Sequence, residues 1–580
     1  MDKNRIADIF EEIAVFLELK GENPFKIRAY TGAARFLQTA ISEEELRQKV
    51  KENDLDSVPG IGKAIREKVT TLYETENLEF YDNLKESIPQ GWLDLLQIPS
   101  LGSKKVKLLA NAGFDDLEKL KKACQENKIS TLKGFGKKTA ENILHGIENL
   151  EKFSTLFLGI EAREYADWVK RNLEACPEVQ RVSVAGSVRR GKEVVKDVDL
   201  IVASKEPARV MDCFVNMVEP KVAAITNHGE TKSSVRLENG LQVDLRVVPL
   251  EVFGFSKLHF TGSKEHNILL RKQAHKLGFK LSEWGMEPID ESLSPVYAES
   301  EEQAYEALGI QWIEPVLREG IHEVEMGLKR EIKDLVRWED IQGCFHNHTT
   351  ASDGHNTLAE MRGAAEHLGW NYLGIADHSK ASFQANGLDE ERILEQLNQI
   401  QSLNNEGHTC HLFSGIECDI LKDGSLDIEE QVLNMLDYVV VSVHSRFGLD
   451  YDGMTKRIIQ ALEHPETTML GHMSGRLLLR RDAYQIDSQK IIDCAIANEK
   501  IIELNANPYR LDMDWRLWIH AQEKGLICSI NPDAHSTKQL EYVHEGILMA
   551  RKGYLSKDQI FNTFDRSKIK QILGKNKGTF

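Results

Sequence analysis

The segment Gly186-Ser187-Val188-Arg189-Arg190-Gly191, followed six residues later by Asp197-Val198-Asp199, joins a small basic loop to a carboxylate pair within fourteen residues. Val182 to Ala185 predicts a strand that Gly186 and Ser187 close. Backbone N–H groups can approach a phosphate there, and Arg189 and Arg190 add charge-assisted donors. Asp197 and Asp199 stand at i and i+2 of an apolar, β-branched run, so a strand places both carboxylates on one face. Leu241 to Val248 reads as a neighbouring strand and supplies a third carboxylate, Asp244. Three carboxylates that gather two divalent ions, Mg2+ or Mn2+, about 3.5 to 4 Å apart serve in-line phosphoryl displacement. The expected chemistry is nucleotidyl transfer from a triphosphate held by the loop. A DxD pair alone is more often a solvated strand end, and the flanking text decides against that reading.

Upstream, three segments repeat one pattern: Val58-Pro59-Gly60-Ile61-Gly62-Lys63, Ile98-Pro99-Ser100-Leu101-Gly102-Ser103-Lys104-Lys105 and Leu132-Lys133-Gly134-Phe135-Gly136-Lys137-Lys138. Each follows a helical stretch and opens another. The glycines allow a turn with positive φ, and the next helix N-terminus aims its unpaired N–H groups at an anion. Lys63, Lys104, Lys105, Lys137 and Lys138 can reach the same phosphate. Repetition at intervals of about 35 to 40 residues outweighs a reading as ordinary helical corners. Ser100 in place of the first glycine weakens the second segment.

Downstream, thirteen of the nineteen histidines lie beyond residue 340. Seven apolar runs there read as strands: Gly343 to His348, Tyr372 to His378, Leu412 to Ile420, Tyr438 to His444, Thr468 to His472, Lys500 to Ala506 and Leu526 to His535. Helix-length segments separate them, among them Thr357 to Leu368, Glu390 to Leu403, Ser488 to Ala497 and Trp515 to Lys524. This alternation predicts a parallel sheet closed into a barrel. Six of the strands end in or near a metal-ligand type: His346 and His348, His378 after Asp377, Glu417, His444, His472, and Asp533 with His535. Asp353 follows the first strand in a loop. Such positions converge in a βα barrel. Nine His and carboxylate ligands suffice for about three ions, and mixed nitrogen and oxygen ligation favours Mn2+, Zn2+ or Fe2+ over Mg2+. Arg476, Asn505 and Arg510 read either as substrate contacts or as structural polar residues.

At 580 residues the chain should hold several domains. A net charge of −18 argues against a protein that coats nucleic acid through a basic surface, though not against local lysine contacts. Eight scattered cysteines without a CxxC pair suit a reducing cytoplasm. No apolar run approaches the ~20 residues of a membrane span, and the first residues lack a signal peptide's apolar core. Val324 to Trp338 reads as an amphipathic connecting helix.

The loop of Gly186 to Gly191, the three aspartates and Phe260-Thr261-Gly262-Ser263-Lys264-Glu265-His266-Asn267 resemble a family X DNA polymerase. The resemblance implies that Asp197, Asp199 and Asp244 are the catalytic metal ligands. It also implies that Gly186, Ser187, Arg190, Phe260, Gly262 and Asn267 bind the dNTP, with Asn267 in the minor groove, and that Arg271 contacts the template strand. His259 stands where the family usually has tyrosine, which leaves sugar discrimination open. The three glycine segments resemble helix-hairpin-helix units, implying backbone contacts through Gly60, Gly62, Lys63, Gly102, Lys104, Gly134, Gly136 and Lys137. Asn23 to Tyr30 resembles the opening of the small N-terminal domain of these enzymes, which binds a gap's 5′-phosphate, here through Lys26 and Arg28. Lys68 matches the position whose amine forms a Schiff base with an abasic sugar; a solvated helix lysine is the competing reading. The nine barrel ligands, in the motifs His346-Asn347-His348 to Asp353, Asp377-His378, Glu417, His444, His472 and Asp533-Ala534-His535, resemble a polymerase-and-histidinol-phosphatase (PHP) domain with every ligand position filled.

Together these resemblances cover nearly the whole chain and match the PHP-containing family X polymerases of bacteria and archaea. The architecture they imply is multidomain. A helical lyase-type domain with the first hairpin spans 1–85 and a helical DNA-binding domain with two more spans 86–150. An α+β nucleotidyltransferase palm (151–249), a dNTP-binding thumb (250–320) and a linker helix (321–340) follow, then a distorted (βα)7 TIM-like PHP barrel (341–575). The implied function is gap filling in base-excision-type DNA repair by a cytoplasmic monomer acting on gapped or primer-template DNA with dNTPs. A 3′–5′ exonuclease in the barrel, with AP endonuclease or removal of 3′ blocks as further expectations, completes it. Two other readings stay open: a metal-dependent nuclease whose degenerate polymerase half grips DNA, and a polymerase whose barrel binds metals for stability alone.

Overall fold

The computed structural model describes residues 1–576 except 2, 40, 42, 53, 56–61, 99–100, 291 and 333. Gly60 and Ser100 therefore lie outside the described residues. The chain falls into two units, Met1–Ser154 and Thr155–Phe580.

The first unit is helical throughout its described residues and has a single apolar core. Its helices form where apolar residues recur at helical spacing: Ile65, Val69 and Leu72 are the buried face of Lys63–Thr75, and Ala140, Ile143 and Ile147 that of Lys137–Phe153. The lysine-bearing helices Lys63–Thr75, Ser103–Asn111 and Lys137–Phe153 all begin where the glycine segments place them. The glycines work differently from expectation. Gly62, Gly102 and Gly136 are N-caps with φ of −72°, −78° and −84°, conformations open to any residue. Of the motif glycines described, Gly134 alone has positive φ, +94°. A Cβ added at Gly62, Gly102 or Gly136 would meet nothing within 4 Å, so the missing side chain leaves first-turn N–H groups open to an incoming anion.

The second unit opens with a five-stranded sheet in the order Arg181–Val184, Asp197–Ala203, Gln242–Val248, Lys232–Leu237, Val222–His228. The Asp197 and Gln242 strands run parallel and the other neighbours antiparallel. Helices Gly159–Glu174 and Pro207–Val215 pack Ala166, Val169, Val210 and Phe214 against Val198, Leu200, Val243 and Leu245. This leaves the opposite face of the Asp197 strand, with both aspartates, free for the site. Helices Phe253–Thr261 and Lys264–Lys276, a hairpin of Phe279–Ser282 with Gly285–Pro288, and Glu301–Ala307 follow.

The expected connecting helix over Val324 to Trp338 is much shorter. It runs Glu323–Lys329 and stops at Arg330, where φ is +60°. The chain then buries Leu335 and Val336. Val336 N–H donates to Leu555 O (3.2 Å), and Arg551 Nη1 donates to the carbonyls of Leu335 (3.2 Å) and Val336 (2.5 Å). Packing on the barrel outweighs local helix propensity here.

All seven expected C-terminal strands form, six of them shorter than their apolar runs and the third shifted by one residue: Gly343–Cys344, Tyr372–Ile375, His411–Asp419, Tyr438–Ser442, Met469–Leu470, Ile501–Asn505 and Cys528–Asn531. They neighbour one another in sequence order and all run parallel. Just past the first and last strands, His348 N–H donates to Ala534 O (2.8 Å), which nearly closes the barrel. Phe345, Tyr372, Phe413, Tyr438, Met469, Ile501 and Phe561 form an aromatic-rich core largely at the strand starts. The strand ends are left for chemistry, as the βα architecture dictates.

Candidate active sites in the palm and the barrel

Asp197 and Asp199 alternate with buried Val198 and Leu200, and all three aspartates are partly buried. Asp244 stands opposite Asp199 on the parallel neighbour. Burial, then the charges of Asp197 and Asp244, pushes the Asp199 carboxyl up to about 7. Burial and Asp244 raise Asp197 as well. The site thus resists full ionisation until cations arrive. Gly186 begins a short helix, Gly186–Arg189, at φ +62°. Its glycine is required twice, because a Cβ there would also lie 2.1 Å from Asp199 Oδ2. Gly186, Ser187, Arg190, Asp197, Asp199, Phe260, Gly262, Asn267 and Arg271 line one cleft of about 430 Å³, within the range of small-molecule sites. Asn267 Nδ2 donates to His259 O (2.7 Å), and the Arg246 guanidinium lies 4.4 Å from the Phe260 ring centre, so both family positions are braced from behind.

The two arginines of the loop part ways. Arg189 does not serve the cleft: it makes paired hydrogen bonds of 2.6 and 2.7 Å to Glu301, a buried acid that also holds buried Arg318. Opposite charge, not phosphate, fixes Arg189. Arg190 donates to Thr261 O (2.6 Å), and its Nε, 3.5 Å from Glu319, has no hydrogen-bond partner. Glu319 also meets Lys192 at 3.2 Å and Lys552, a buried lysine of the barrel helix Val543–Lys552, at 2.6 Å. Burial would raise Glu319, but Lys552, Lys192 and Arg190 together hold it below the usual carboxylate range.

In the barrel the nine expected ligands converge. His348, Asp353, His378 and His535 bring ligand atoms within 4.8 Å of one another, as do His346, His348 and Asp533, and likewise His378, Glu417 and His444. His472 Nε2 lies 3.0 Å from Glu417 Oε1, which ties it to the third cluster. A neutral imidazole ligates through one nitrogen, so His348 and His378, each in two clusters, can serve one ion apiece. The donor set fits divalent cations. Buried His346 Nε2, His348 Nδ1, His378 Nδ1 and Glu417 Oε2 lack hydrogen-bond partners, the pattern expected of atoms meant for ions. Burial opposes protonation of His346, yet Glu503, Glu417 and Asp533 outweigh it and hold the imidazole well above its ordinary value. Burial likewise opposes ionisation of Glu417, and His444, His346 and His378 reverse the balance.

Supporting residues hold these ligands, and two of them, Glu503 and Asp419, are absent from the sequence reading. Glu503 Oε2 lies 2.6 Å from His346 Nδ1, and Asp419 Oδ1 is 3.3 Å from His444 Nδ1. Asp377 accepts from Thr349 N–H and Ser352 Oγ and so pins the loop that carries Asp353. The readable signal was an acid alternating into an apolar strand, Ile501-Ile502-Glu503. The doubt over Arg476, Asn505 and Arg510 resolves unevenly. Arg476 is spent on Asp514 and backbone carbonyls, and Asn505 on Glu503 and Asp533. Arg510 Nε lies 3.2 Å from Asp533 and remains at the site.

In the first unit, Lys26 and Lys68 come together. Their amines lie 5.7 and 4.9 Å from the centre of one ring, Phe80. Arg28 instead lies over exposed Phe25. Lys63, Lys104 and Lys137, beside the N-capping glycines, are exposed.

Comparison with known proteins adds independent findings. Residues 257–319 match a DNA polymerase beta thumb model, residues 1–78 a helix-hairpin-helix domain and residues 93–149 a SAM-like helix-hairpin-helix tandem. The DNA polymerase/3′-5′ exonuclease PolX of Bacillus subtilis (strain 168) is 35% identical over 99% of this chain and 100% of its own length. This chain belongs to the PolX family of family X DNA polymerases. Other relatives of this PolX-family chain cover parts of it. Rat DNA polymerase lambda is 26% identical over 39% of this chain and 40% of its own. A probable phosphatase of Thermoanaerobacter sp. (strain X514) is 25% identical over 40% of this chain and 94% of its own. Divalent-metal dependence and DNA binding come with the family. No helix among the described residues is long and apolar enough to cross a membrane.

Proposed function

We propose that the chain fills short gaps in base-excision-type DNA repair, adding nucleotides at the palm and hydrolysing 3′ ends in the barrel. The observation that carries this is the register of Asp199 against Asp244, with Asp197 on the same face and the Gly186 turn against Asp199. The three aspartates would hold two ions, Mg2+ or Mn2+, and the nine barrel ligands about three of Mn2+, Zn2+ or Fe2+. When bound, these ions supply Lewis acidity that activates the attacking oxygen and takes charge from the leaving one.

The residues do the rest. Gly186, Ser187 and Arg190 receive the triphosphate. Phe260 and Gly262 wall the sugar side, Asn267 faces the nucleotide and Arg271 the template. In the barrel, Glu503 and Asp419 keep His346 and His444 oriented, and Arg510 beside Asp533 meets substrate phosphate. The hairpin residues Gly60, Gly62, Lys63, Gly102, Lys104, Gly134, Gly136 and Lys137 hold DNA backbone, while Lys26 and Lys68 meet the downstream 5′ end of a gap, with Lys68 in lyase position. The working parts follow the limits 1–85, 86–150, 151–249, 250–320 and 341–575, in a monomer of the cytoplasm.

A one-nucleotide-gapped duplex with a labelled primer and a downstream 5′-phosphate, incubated with Mn2+, tests the reading. Extension with the matching dNTP and shortening without it are expected. Shortening alone would mean a nuclease with a gripping polymerase half; extension alone would reduce the barrel to a scaffold.

A further inference from the structure

Two thiols outside both sites meet in the palm. Cys176 follows the Gly159–Glu174 helix and Cys213 lies in Pro207–Val215. Their Sγ atoms are 2.6 Å apart, Cys176 buried and Cys213 exposed. Cys176 Sγ donates to Glu178 Oε2 (3.3 Å), and Glu178 Oε1 accepts from Arg209 Nη1 (3.0 Å). Arg209, ahead of the other contacts, holds Glu178 below the usual carboxylate range. With its proton turned to Glu178, Cys176 presents a sulfur lone pair to Cys213. Burial pushes the Cys176 thiol up to about 12, so Cys213 is the thiol that meets solvent as a nucleophile.

We propose that Cys176 and Cys213 form a peroxide-sensitive dithiol pair that closes reversibly into a disulfide joining the end of the first palm helix to the second. The Cys213 thiolate attacks a hydroperoxide oxygen, the O–O bond breaks, and Cys213 becomes a sulfenic acid while hydroxide leaves. Cys176 sulfur then attacks Cys213 sulfur, forming S–S and breaking S–OH. The Cys176 proton passes through Glu178 to the departing hydroxide, giving water. Peroxide gains the two electrons that the thiols lose, and a dithiol reductant returns them.

Metal capture by Cys176, Glu178 and Cys213 is the rival reading, since their ligand atoms lie within 4.8 Å. The Cys213 helix packs on the strand bearing Asp244. Closure therefore stiffens the support of the palm site and leaves the barrel ligands untouched.

The test treats the full-length protein with hydrogen peroxide, followed by alkylation and non-reducing peptide mass spectrometry. The free-thiol count should fall by two from eight. A Cys176–Cys213 peptide lighter by two hydrogen atoms should appear and be reversed by dithiothreitol. Cys213→Ser, a surface change, should keep the native circular dichroism and block the cross-link. Cys176→Ser should leave Cys213 as a sulfenic acid that dimedone traps. Oxidation of Cys213 to sulfinic acid with Cys176 still free would overturn the proposal. So would stoichiometric zinc that protects both thiols and is lost in Cys213→Ser.

Discussion

The palm and the barrel solve one problem, holding divalent cations for phosphoryl chemistry, with opposite electrostatics. In the palm three like charges share one sheet face, Asp197 and Asp199 lining the open cleft, and burial and mutual repulsion drive Asp199 up to about 7. Among the described residues the three aspartates do not form a group with ligand atoms within 4.8 Å. In the barrel, carboxylates and imidazoles alternate around buried clusters, and the neighbouring imidazoles hold Glu417 and Asp533 well below the usual carboxylate range against burial. A site of one sign would gain its charge balance from incoming cations, whereas a site of mixed sign is already largely balanced without them.

The largest effect expected is a clean crossover. Asp197→Ala should lower primer extension on the order of 10³-fold and spare 3′ hydrolysis, and His346→Ala should do the reverse. Loss of both activities in either variant, measured on the same gapped duplex, would mean that the two sites do not act separately.

Next comes the repulsion itself. The folded pKa of Asp199 is raised, so its contribution to stability is full below its ordinary value of 3.8 and is lost as pH rises to about 7. At neutral pH without divalent ions, Asp199→Asn should therefore stabilise the protein by up to about 4 kcal/mol. The gain should vanish near pH 4 and shrink when Mg2+ is added. Denaturant titrations at the two pH values check this, and an equal gain at both would remove the contrast between the sites.

A smaller effect sharpens the barrel side. Glu503→Gln keeps the shape but loses the charge behind His346, and metal affinity in the barrel should fall about 10- to 100-fold while the palm is unaffected. Competition with a chelator, read by metal content, is the measurement. Unchanged retention would show that the nine ligands suffice without their supporting acids.

Much of this was legible in the chain because it lay in local pattern. The alternation of Asp197 and Asp199 with apolar neighbours gave both the strand and the face, and histidines at the ends of apolar runs announced the barrel. What escaped depends on distant partners. Arg189 and Arg190 are adjacent and identical in type, yet Glu301, 112 residues away, claims the first. The segment from Val324 to Trp338 has helical pattern to its end, but Leu335 and Val336 are drawn onto the barrel. Gly62, Gly102 and Gly136 signalled a bare helix entrance rather than a left-handed turn, which among the described motif glycines only Gly134 makes. Glu319 had no motif at all, and Glu503 only its place in an apolar strand run.

Glu319 has a consequence for how such a chain can evolve. One carboxylate touches Arg190 and Lys192 of the phosphate loop and Lys552 of the barrel. A lineage that discarded the barrel would leave this partly buried acid short of its nearest cation and loosen the residue that braces Arg190. Separating the two catalytic halves of this chain would therefore call for a compensating change at Glu319, such as a neutral side chain.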